Sequence, residues 1–324
     1  MRRVVWSVLT GLGVFFIVLA LLSRFFIPGQ AVKFPLNEYQ KMDLQAVNAS
    51  YFSKKFLTEE SGVTLEAVIT FKGDVAAARS IGSSNTAVWQ TYTPIRDLTN
   101  HTPASIPALP NVLAFDRKTG ALRPWSGNSV DGKQVTVGAH EQWVLWPIGT
   151  QKKDYKVFDA TLMRPVTFHY TGVTSTDGVA TYVFKTTISN QQIGTQSLPG
   201  SLVGLAATEV TLPEYYSATD TYFVDPVTGV PVAIDQNVKQ TLQDGAGATR
   251  LVLLHANFQT TPDSVTSFVN TDNGGATKIS LLNVTIPIAG GLIGIVLLGA
   301  GLIMSRRPED EEYEEDEETV GAAV

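Results

Sequence analysis

Residues 62–74 read GVTLEAVITFKGD, a segment in which apolar and polar residues alternate. Every second position from 63 to 71 is apolar: Val63, Leu65, Ala67, Ile69 and Phe71. Because successive side chains of a β-strand point to opposite faces of a sheet, this period of two predicts a half-buried strand. The pair Gly73-Asp74 is typical of the turn that ends such a strand.

Similar short segments recur through the middle of the chain and are separated by the turn dipeptides Asp131-Gly132, Asp177-Gly178 and Asp244-Gly245. The predicted strands lie near residues 86–93, 111–116, 134–137, 166–171, 181–188, 219–224, 231–242 and 249–258. Many short strands with this punctuation favour a mostly β domain, built as an antiparallel β-sandwich or open barrel. The stretch Gln191–Gly204 shows little periodicity and is interpreted as a loop.

A short motif occurs twice in this region. Residues 116–120 read DRKTG and residues 225–229 read DPVTG, and each follows an apolar strand. In such a turn, aspartate accepts a backbone hydrogen bond and glycine supplies a positive φ. The repeat is compatible with two similar half-domains, and a chance match of five residues is the alternative.

Apolar stretches lie towards both ends of the chain. Residues 4–22 and 279–304 contain no charged side chain and are long enough to cross a bilayer as helices. We therefore predict four segments: an N-terminal membrane helix within 1–27, a β-rich domain over 28–278, a membrane helix over 279–304 and a tail over 305–324. A cleaved signal peptide is the alternative for the first stretch, and a buried core helix for the second.

Basic residues predict the orientation. Arg2 and Arg3 precede the first helix, and Arg306 and Arg307 follow the second; Arg24 opposes this pattern alone. Positive charge next to membrane helices favours the cytoplasm. The sequence thus predicts a plasma-membrane protein with both termini in the cytoplasm and most of the chain outside it.

Charge is distributed unevenly. Residues 309–318, EDEEYEEDEE, hold nine carboxylates, whereas the predicted outer domain is close to neutral. The acidic run predicts a disordered cytoplasmic tail, either a solvated end or a docking segment for a basic partner. A near-neutral domain excludes nucleic acid as the expected ligand. The chain contains no cysteine, which rules out disulfides and thiolate zinc sites.

Two further helical features stand out near the C-terminal stretch. Thr261-Pro262-Asp263 is typical of a helix start, and Asn273-Gly274-Gly275 predicts its end, with a short flexible neck after it. Pro287 predicts a kink in the membrane helix. Gly290 and Gly294 form a GxxxG pattern that is typical of a face for a helix partner, which could be the first helix at Gly11 and Gly13; the alternative is that glycine is simply common in membrane helices.

No catalytic signature is present: the four histidines have no metal-binding spacing, and no GxSxG, Walker or GxGxxG motif occurs. We therefore expect a protein that is not an enzyme and that carries no metal or cofactor. The densest aromatic region supplies the candidate binding residues, with core packing as the alternative reading. These residues are Trp143, Trp146, Trp125 and Phe158.

The whole layout resembles a known family. The motif-bearing segments are AFDRKTG at 114–120, VDGKQVTVGAHEQWVLWPIGTQKKDYKVFD at 130–159 and YFVDPVTGVPVAID at 222–235, enclosed by two membrane helices. This arrangement is similar to that of the actinobacterial proteins grouped as the PorA porin family. The resemblance implies a cell envelope of the mycolate or Gram-positive type and brings no catalytic residues.

The sequence is compatible with three functions. The first is an envelope protein in contact with membrane lipids whose outer domain binds a lipid, a glycan or a protein partner. The second is a porin or channel component. It would have to be oligomeric, because two helices cannot enclose a pore and lipid-facing barrel strands are not recognisable. The third is transmembrane signalling through the acidic tail.

Overall fold

The computed structural model describes residues 2–25, 32–104 and 110–306. The described chain divides into two compact units, residues 32–279 and the helical segments within 1–31 and 280–324. The acidic run at 309–318, and with it the predicted tail, lies outside the described residues.

The first unit is built around one antiparallel sheet of 14 strands, which does not close into a barrel. The strand order is β8-β7-β6-β3-β2-β1-β14-β13-β12-β11-β10-β9, and β4 and β5 branch off beside β2. The bounds are β1 Tyr39–Ser53, β2 Thr58–Gly73, β3 Thr86–Tyr92, β4 Ile95–Asp97, β5 Thr102–Pro103, β6 Asn111–Asp116, β7 Ser129–Val130, β8 Lys133–Gln134, β9 Tyr155–Asp159, β10 Arg164–Thr176, β11 Val179–Pro199, β12 Glu209–Val224, β13 Pro231–Gln243 and β14 Thr249–Thr260. The predicted mostly β, antiparallel fold is confirmed.

The alternating segment of residues 62–74 forms most of β2 and behaves as its pattern predicts. Val63, Leu65, Ala67 and Phe71 are buried, whereas the residues between them are partly exposed. Their side chains join a core contributed by β1, β13 and β14. Period two therefore places one face of β2 in the core of the domain.

Two of the predicted turn dipeptides adopt the left-handed backbone that two-residue hairpins require. Asp131 and Gly132 have φ of 50° and 73°, and Asp177 and Gly178 have φ of 47° and 83°. They connect β7 to β8 and β10 to β11. At the third site the positive φ falls on Gly247 rather than on Asp244-Gly245, so that turn is longer than a two-residue loop.

The prediction of a loop over Gln191–Gly204 is wrong, because β11 continues to Pro199. Its continuation pairs with β12 from Gln191↔Tyr216 to Pro199↔Glu209. Bulges between Ile188 and Gln191, and between Gln192 and Gly194, shift the register. Each extra residue reverses the alternation of faces, which hides the period of two from the sequence.

The described residues also form four α-helices. They are α1 Arg2–Phe25, α2 Val75–Ser80, α3 Pro262–Ser280 and α4 Ile286–Arg306. The predicted end of α3 at Asn273-Gly274-Gly275 is wrong, since the helix continues through both glycines. An added Cβ on Gly275 would lie 3.7 Å from Thr228 Cγ2, so this glycine lies at a close approach between α3 and the β12–β13 loop.

The apolar stretches form the second unit. Residues 4–25 and the helical run 262–306 each contain a segment long and apolar enough to cross a membrane. A π-helical turn, Leu281–Thr285, precedes α4. This wider turn ends two residues before Pro287, which has no N–H to donate, and the kink predicted at this proline stays a prediction.

Small residues bring α1 and α4 together within the chain. An added Cβ on Gly294 would lie 2.7 Å from Ile17 Cγ1, and one on Gly13 would lie 2.6 Å from the Leu298 amide nitrogen. Gly290 faces Ala20 at 3.5 Å. The Gly290/Gly294 face is thus occupied by α1 of the same chain, whereas Gly11 has nothing within 4 Å.

Candidate functional site

The four aromatic candidates are distributed over three hydrophobic clusters. Trp143 and Phe158 lie in the core between β3, β6 and the segment before β9. Trp146 lies in the core of β9–β12, and Trp125 packs near α2. Trp146 is 0% exposed and Trp143 is 6% exposed, whereas Trp125 is half-buried. The structure therefore does not bring these four side chains together on one accessible surface.

An open cleft lies instead where two strands diverge. Residues His169–Thr176 of β10 pair with β11, whereas Arg164–Phe168 of the same strand pair with β9. β11 pairs with β12 from Tyr182 to Pro199, and from Thr186 onward it no longer pairs with β10. Between the separated halves lies a cavity of about 590 Å³. The change of partner along β10 is thus what opens the sheet.

The cleft combines positive charge with an apolar base. Among its lining residues, three are basic and none is acidic: Arg164, His169 and Lys185. Six are uncharged polar residues, mainly threonines, and the apolar members are Pro165, Val166 and Ile188. Such a surface favours an anionic group at the rim and apolar atoms at the base.

The basic residues of the rim differ in their partners. The Arg164 guanidinium donates to the Gln191 amide oxygen at 3.1 Å rather than to a carboxylate. His169 Nδ1 lies 2.7 Å from Asp154 Oδ2. The Tyr170 N–H and then His169 hold the pKa of Asp154 below its usual range. Lys185 lies opposite His169 in the register and is exposed.

Buried polar groups lie beneath the cleft. Ile188, which lines it, packs in one cluster with Tyr216 on β12. Further along the same face of β12, Asp220 is 4% exposed and lies opposite Gln236 of β13. Asp220 Oδ1 and Trp146 Nε1 have no hydrogen-bond partner among the described residues. Buried polar atoms of this kind normally bind a protein group, water or a ligand.

Burial, and then the negative charge of Asp159, raises the pKa of Asp220 to about 7. The same two causes, with the charge of Asp220 added, raise the pKa values of Tyr216 and Tyr222. Asp220 is thus a carboxyl group able to exchange a proton near neutral pH.

The two Asp-x-x-Thr-Gly loops adopt the same conformation. In the first loop, Gly120 N–H donates to Asp116 O and Lys118 N–H to Asp116 Oδ1. The second loop has the same two bonds: Gly229 N–H donates to Asp225 O, and Val227 N–H donates to Asp225 Oδ1. Gly120 and Gly229 have φ of 67° and 78°, as the motif predicts.

Both loops bind one connecting segment, Leu145–Gly149. Ile148 N–H donates to Lys118 O of the first loop, and Trp146 N–H donates to Gly229 O of the second. Gly149 N–H donates to Val227 O. The repeated motif therefore fixes the backbone that carries Trp146 into the core of β9–β12.

The cleft has no signal in the sequence that distinguishes its residues from those of other strands. Lys185 and the histidine opposite it lie at outward positions of strands that were recognised, but outward polar residues occur on most strands of this chain. The distinguishing feature is the change of partner along β10, which depends on β9. A strand as short as Tyr155–Asp159 carries too few residues for its period to be recognised.

Comparison with known protein families shows a match over most of the chain. The family model described as "Porin PorA" matches residues 7–303. No curated protein matches this sequence. Among solved structures, the crystal structure of an N-terminal dehydratase from difficidin assembly line aligns over 79% of this chain and 88% of that chain. Its identity is 10% and its TM-score 0.11, a likeness too low to carry an argument.

Proposed function

The chain belongs to the PorA porin family, and we propose that it is a two-pass envelope protein whose β domain binds an anionic envelope lipid. The family match and the two apolar helices support the part of this proposal that makes the chain a membrane protein. The β domain, residues 32–279, lies outside the cytoplasm in this proposal. Four arginines near the ends support that orientation: Arg2, Arg3, Arg306 and Arg307.

The single observation that carries the ligand class is the cleft between β10 and β11. Its rim offers Arg164 and Lys185 to a phosphate or carboxylate, and no lining residue is acidic. Its base offers Val166 and Ile188 to apolar atoms. A molecule with a charged head and an apolar portion matches both surfaces, and a domain tethered to a bilayer meets such molecules continuously.

Binding rather than catalysis is the proposed activity, and it requires no cofactor. The Asp154–His169 pair resembles part of a hydrolytic triad, but both of its side chains are more than half exposed. Among the described residues, no serine or threonine hydroxyl hydrogen-bonds the His169 ring. A nucleophile activated by a histidine needs that bond.

Reversing the rim charges tests this proposal. We expect the double variant Arg164→Glu/Lys185→Glu to lose about tenfold or more of its bound anionic lipid, because each cation near a lipid headgroup contributes about 1 kcal/mol. The measurement is quantitative mass spectrometry of lipids that co-purify with the full-length protein in detergent. Lys239→Glu, an exposed change on β13 outside the lining residues, is the matched control and should retain wild-type lipid.

Equal amounts of the same lipid in wild type and in the double variant would overturn the assignment of the cleft. A defined glycan in place of lipid would keep the cleft but change the ligand class. Absence of any co-purified molecule from the wild type would favour a protein partner, to be sought by crosslinking to the β domain.

A channel function is the second candidate, favoured by the family description. Within one chain, α1 and α4 are in close contact at Gly13 and Gly294, so a pore would require helices from several copies. Conductance of the purified full-length protein in planar bilayers would support this candidate. Absence of conductance in a bilayer that contains oligomeric protein would count against it.

A further inference from the structure

The two Asp-x-x-Thr-Gly loops differ in what faces their aspartate. In the first loop, Asp116 Oδ2 accepts a hydrogen bond from the Arg123 guanidinium at 2.6 Å. In the second loop, α3 packs against the loop, where an added Cβ on Gly275 would lie 3.7 Å from Thr228 Cγ2, and the side chain that contacts the Asp225 carboxyl is that of Asp272 on α3. The aspartate of the first loop thus faces a permanent cation, whereas the aspartate of the second loop faces another acidic side chain.

Both carboxyls of this pair, Asp225 of the second loop and Asp272 of α3, are buried. Asp225 is 3% exposed and Asp272 is 7% exposed. Asp272 also contacts the Thr228 side chain, and its Oδ2 has no donor among the described residues. Neither carboxyl forms an ion pair with lysine or arginine in the described part of the chain. The pair therefore lacks the counter-charge that two buried carboxylates would need.

Packing holds the two carboxyls in contact. Phe268 and Val269 of α3 are buried in the main core, and Phe268 stacks edge-on against Phe71 of β2 at 6.3 Å between ring centroids. Ser264 Oγ accepts the Asp43 N–H at 2.9 Å. These contacts fix the part of α3 that precedes Asp272, and the approach of Gly275 to Thr228 lies one turn after it, so the docked helix keeps this carboxyl buried.

The surrounding charges do not neutralise this pair. On α3 itself the other charged residues are Asp263 and Lys278, and both are exposed. The loop of residues 225–230, DPVTGV, and the segment 142–149, QWVLWPIG, contain no basic residue. On the adjoining β1, the residue that bonds to α3 is Asp43, which is itself acidic.

A proton between the two carboxyls would remove the repulsion between them. When one carboxyl is protonated, its O–H donates to the other carboxylate, and such a charge-assisted bond is short and strong in a buried site. Burial, and then Asp225 through its hydrogen bond and its charge, raises the pKa of Asp272 to about 8. The protonated state of the pair is therefore the ordinary one at neutral pH.

We propose that the Asp272 carboxyl keeps its proton and donates it in a hydrogen bond to the Asp225 carboxylate, and that this bond holds α3 against the β domain. The helix so held leads directly into the π-helical turn and α4, the membrane helix. Loss of the proton leaves two buried carboxylates in contact, which favours release of α3. This contact is independent of any ligand in the cleft.

The direction of the pH dependence follows from proton linkage. Docked α3 binds the proton more tightly than released α3, in which the Asp272 carboxyl regains its ordinary pKa of 3.8. Docking is therefore strongest below about pH 4 and weakens as the pH rises towards about 8. Within that range the docking equilibrium changes by up to about tenfold per pH unit.

Amide hydrogen exchange of α3 in the full-length protein measures this contact. In detergent micelles, peptides covering residues 262–280 are compared at pH 6 and pH 9 after correction for the intrinsic exchange rate. We expect wild-type protection to fall at least tenfold. Asp272→Asn supplies a neutral amide that donates to Asp225, so its protection should be equal at both values. Asp263→Asn, on the exposed face of α3, should retain the wild-type dependence.

Equal wild-type protection at pH 6 and pH 9 would overturn the proposal, as would a pH dependence that survives in Asp272→Asn. Loss of wild-type protection at pH 6 on addition of EDTA would also overturn it, because a cation and not a proton would then bridge the pair. If Asp272→Asn does not fold, Asp225→Asn takes its place. Its Oδ1 keeps the bond from Val227 N–H, and its amide donates to Asp272, so it should abolish the pH dependence.

Discussion

Replacing Trp146 by alanine is expected to destabilise the domain by about 3–5 kcal/mol, as removal of a large buried aromatic side chain does in other cores. Trp146 is 0% exposed, and its ring lies 5.2 to 6.0 Å from three other aromatic rings, those of Phe168, Phe184 and Tyr222. A truncated side chain would leave a cavity where β9, β10, β11 and β12 meet.

The measurement is thermal unfolding of the full-length protein in detergent, followed by near-ultraviolet circular dichroism. For a domain of this size the expected loss corresponds to about 6–20 °C in Tm. Trp125→Ala is the control, because this half-buried ring packs near α2 and should cost less than half as much. Similar losses in both variants would mean that Trp146 is not the centre of this core.

Gly229→Ala is the second change with a large expected effect, about 3 kcal/mol or more. Gly229 has φ of 78°, where a side chain costs about 1–2 kcal/mol by itself. An added Cβ would also collide with the carbonyl oxygen of Trp146 and lie 2.7 Å from that of Pro147. Backbone atoms cannot move aside without breaking the Trp146 N–H···O=C Gly229 bond of 2.8 Å.

Gly247→Ala separates the two costs. Gly247 has a similar φ of 80°, but nothing lies within 4 Å of its added Cβ. We expect it to lose about 1–2 kcal/mol by thermal unfolding, from backbone strain alone. An equal loss in both variants would show that contact with the segment Leu145–Gly149 contributes little to stability.

The sequence predicts the parts of this fold that follow a local period. The strand at residues 62–74, the hairpins at Asp131-Gly132 and Asp177-Gly178, and both apolar helices depend on neighbouring residues and were recognisable. β1 was missed because positive φ at Asn48 and a register shift near Ala49 break its alternation. The bulges in β11 had the same effect.

The candidate sites could not be read from the sequence because each joins distant segments. The cleft depends on which strand pairs with which half of β10, and the carboxyl pair joins residues 225 and 272. Asp225 was noticed through its motif, but the motif predicts a turn and does not reveal which side chain faces the aspartate. Trp143 and Trp146 were noticed as aromatic residues, and composition alone does not distinguish a core from a binding surface.

The position of β1 between β2 and β14 has a consequence for biosynthesis. Thr260, which contacts Met42 across this pairing, follows it by 218 residues. At about 5–20 residues per second, a ribosome needs roughly 10–45 s to synthesise the chain between β1 and the end of β14, its partner at the centre of the sheet. During that interval one edge of β1 has no partner from its own chain. The nascent protein thus has a long period in which a chaperone or membrane insertion machinery must keep that edge from aggregating.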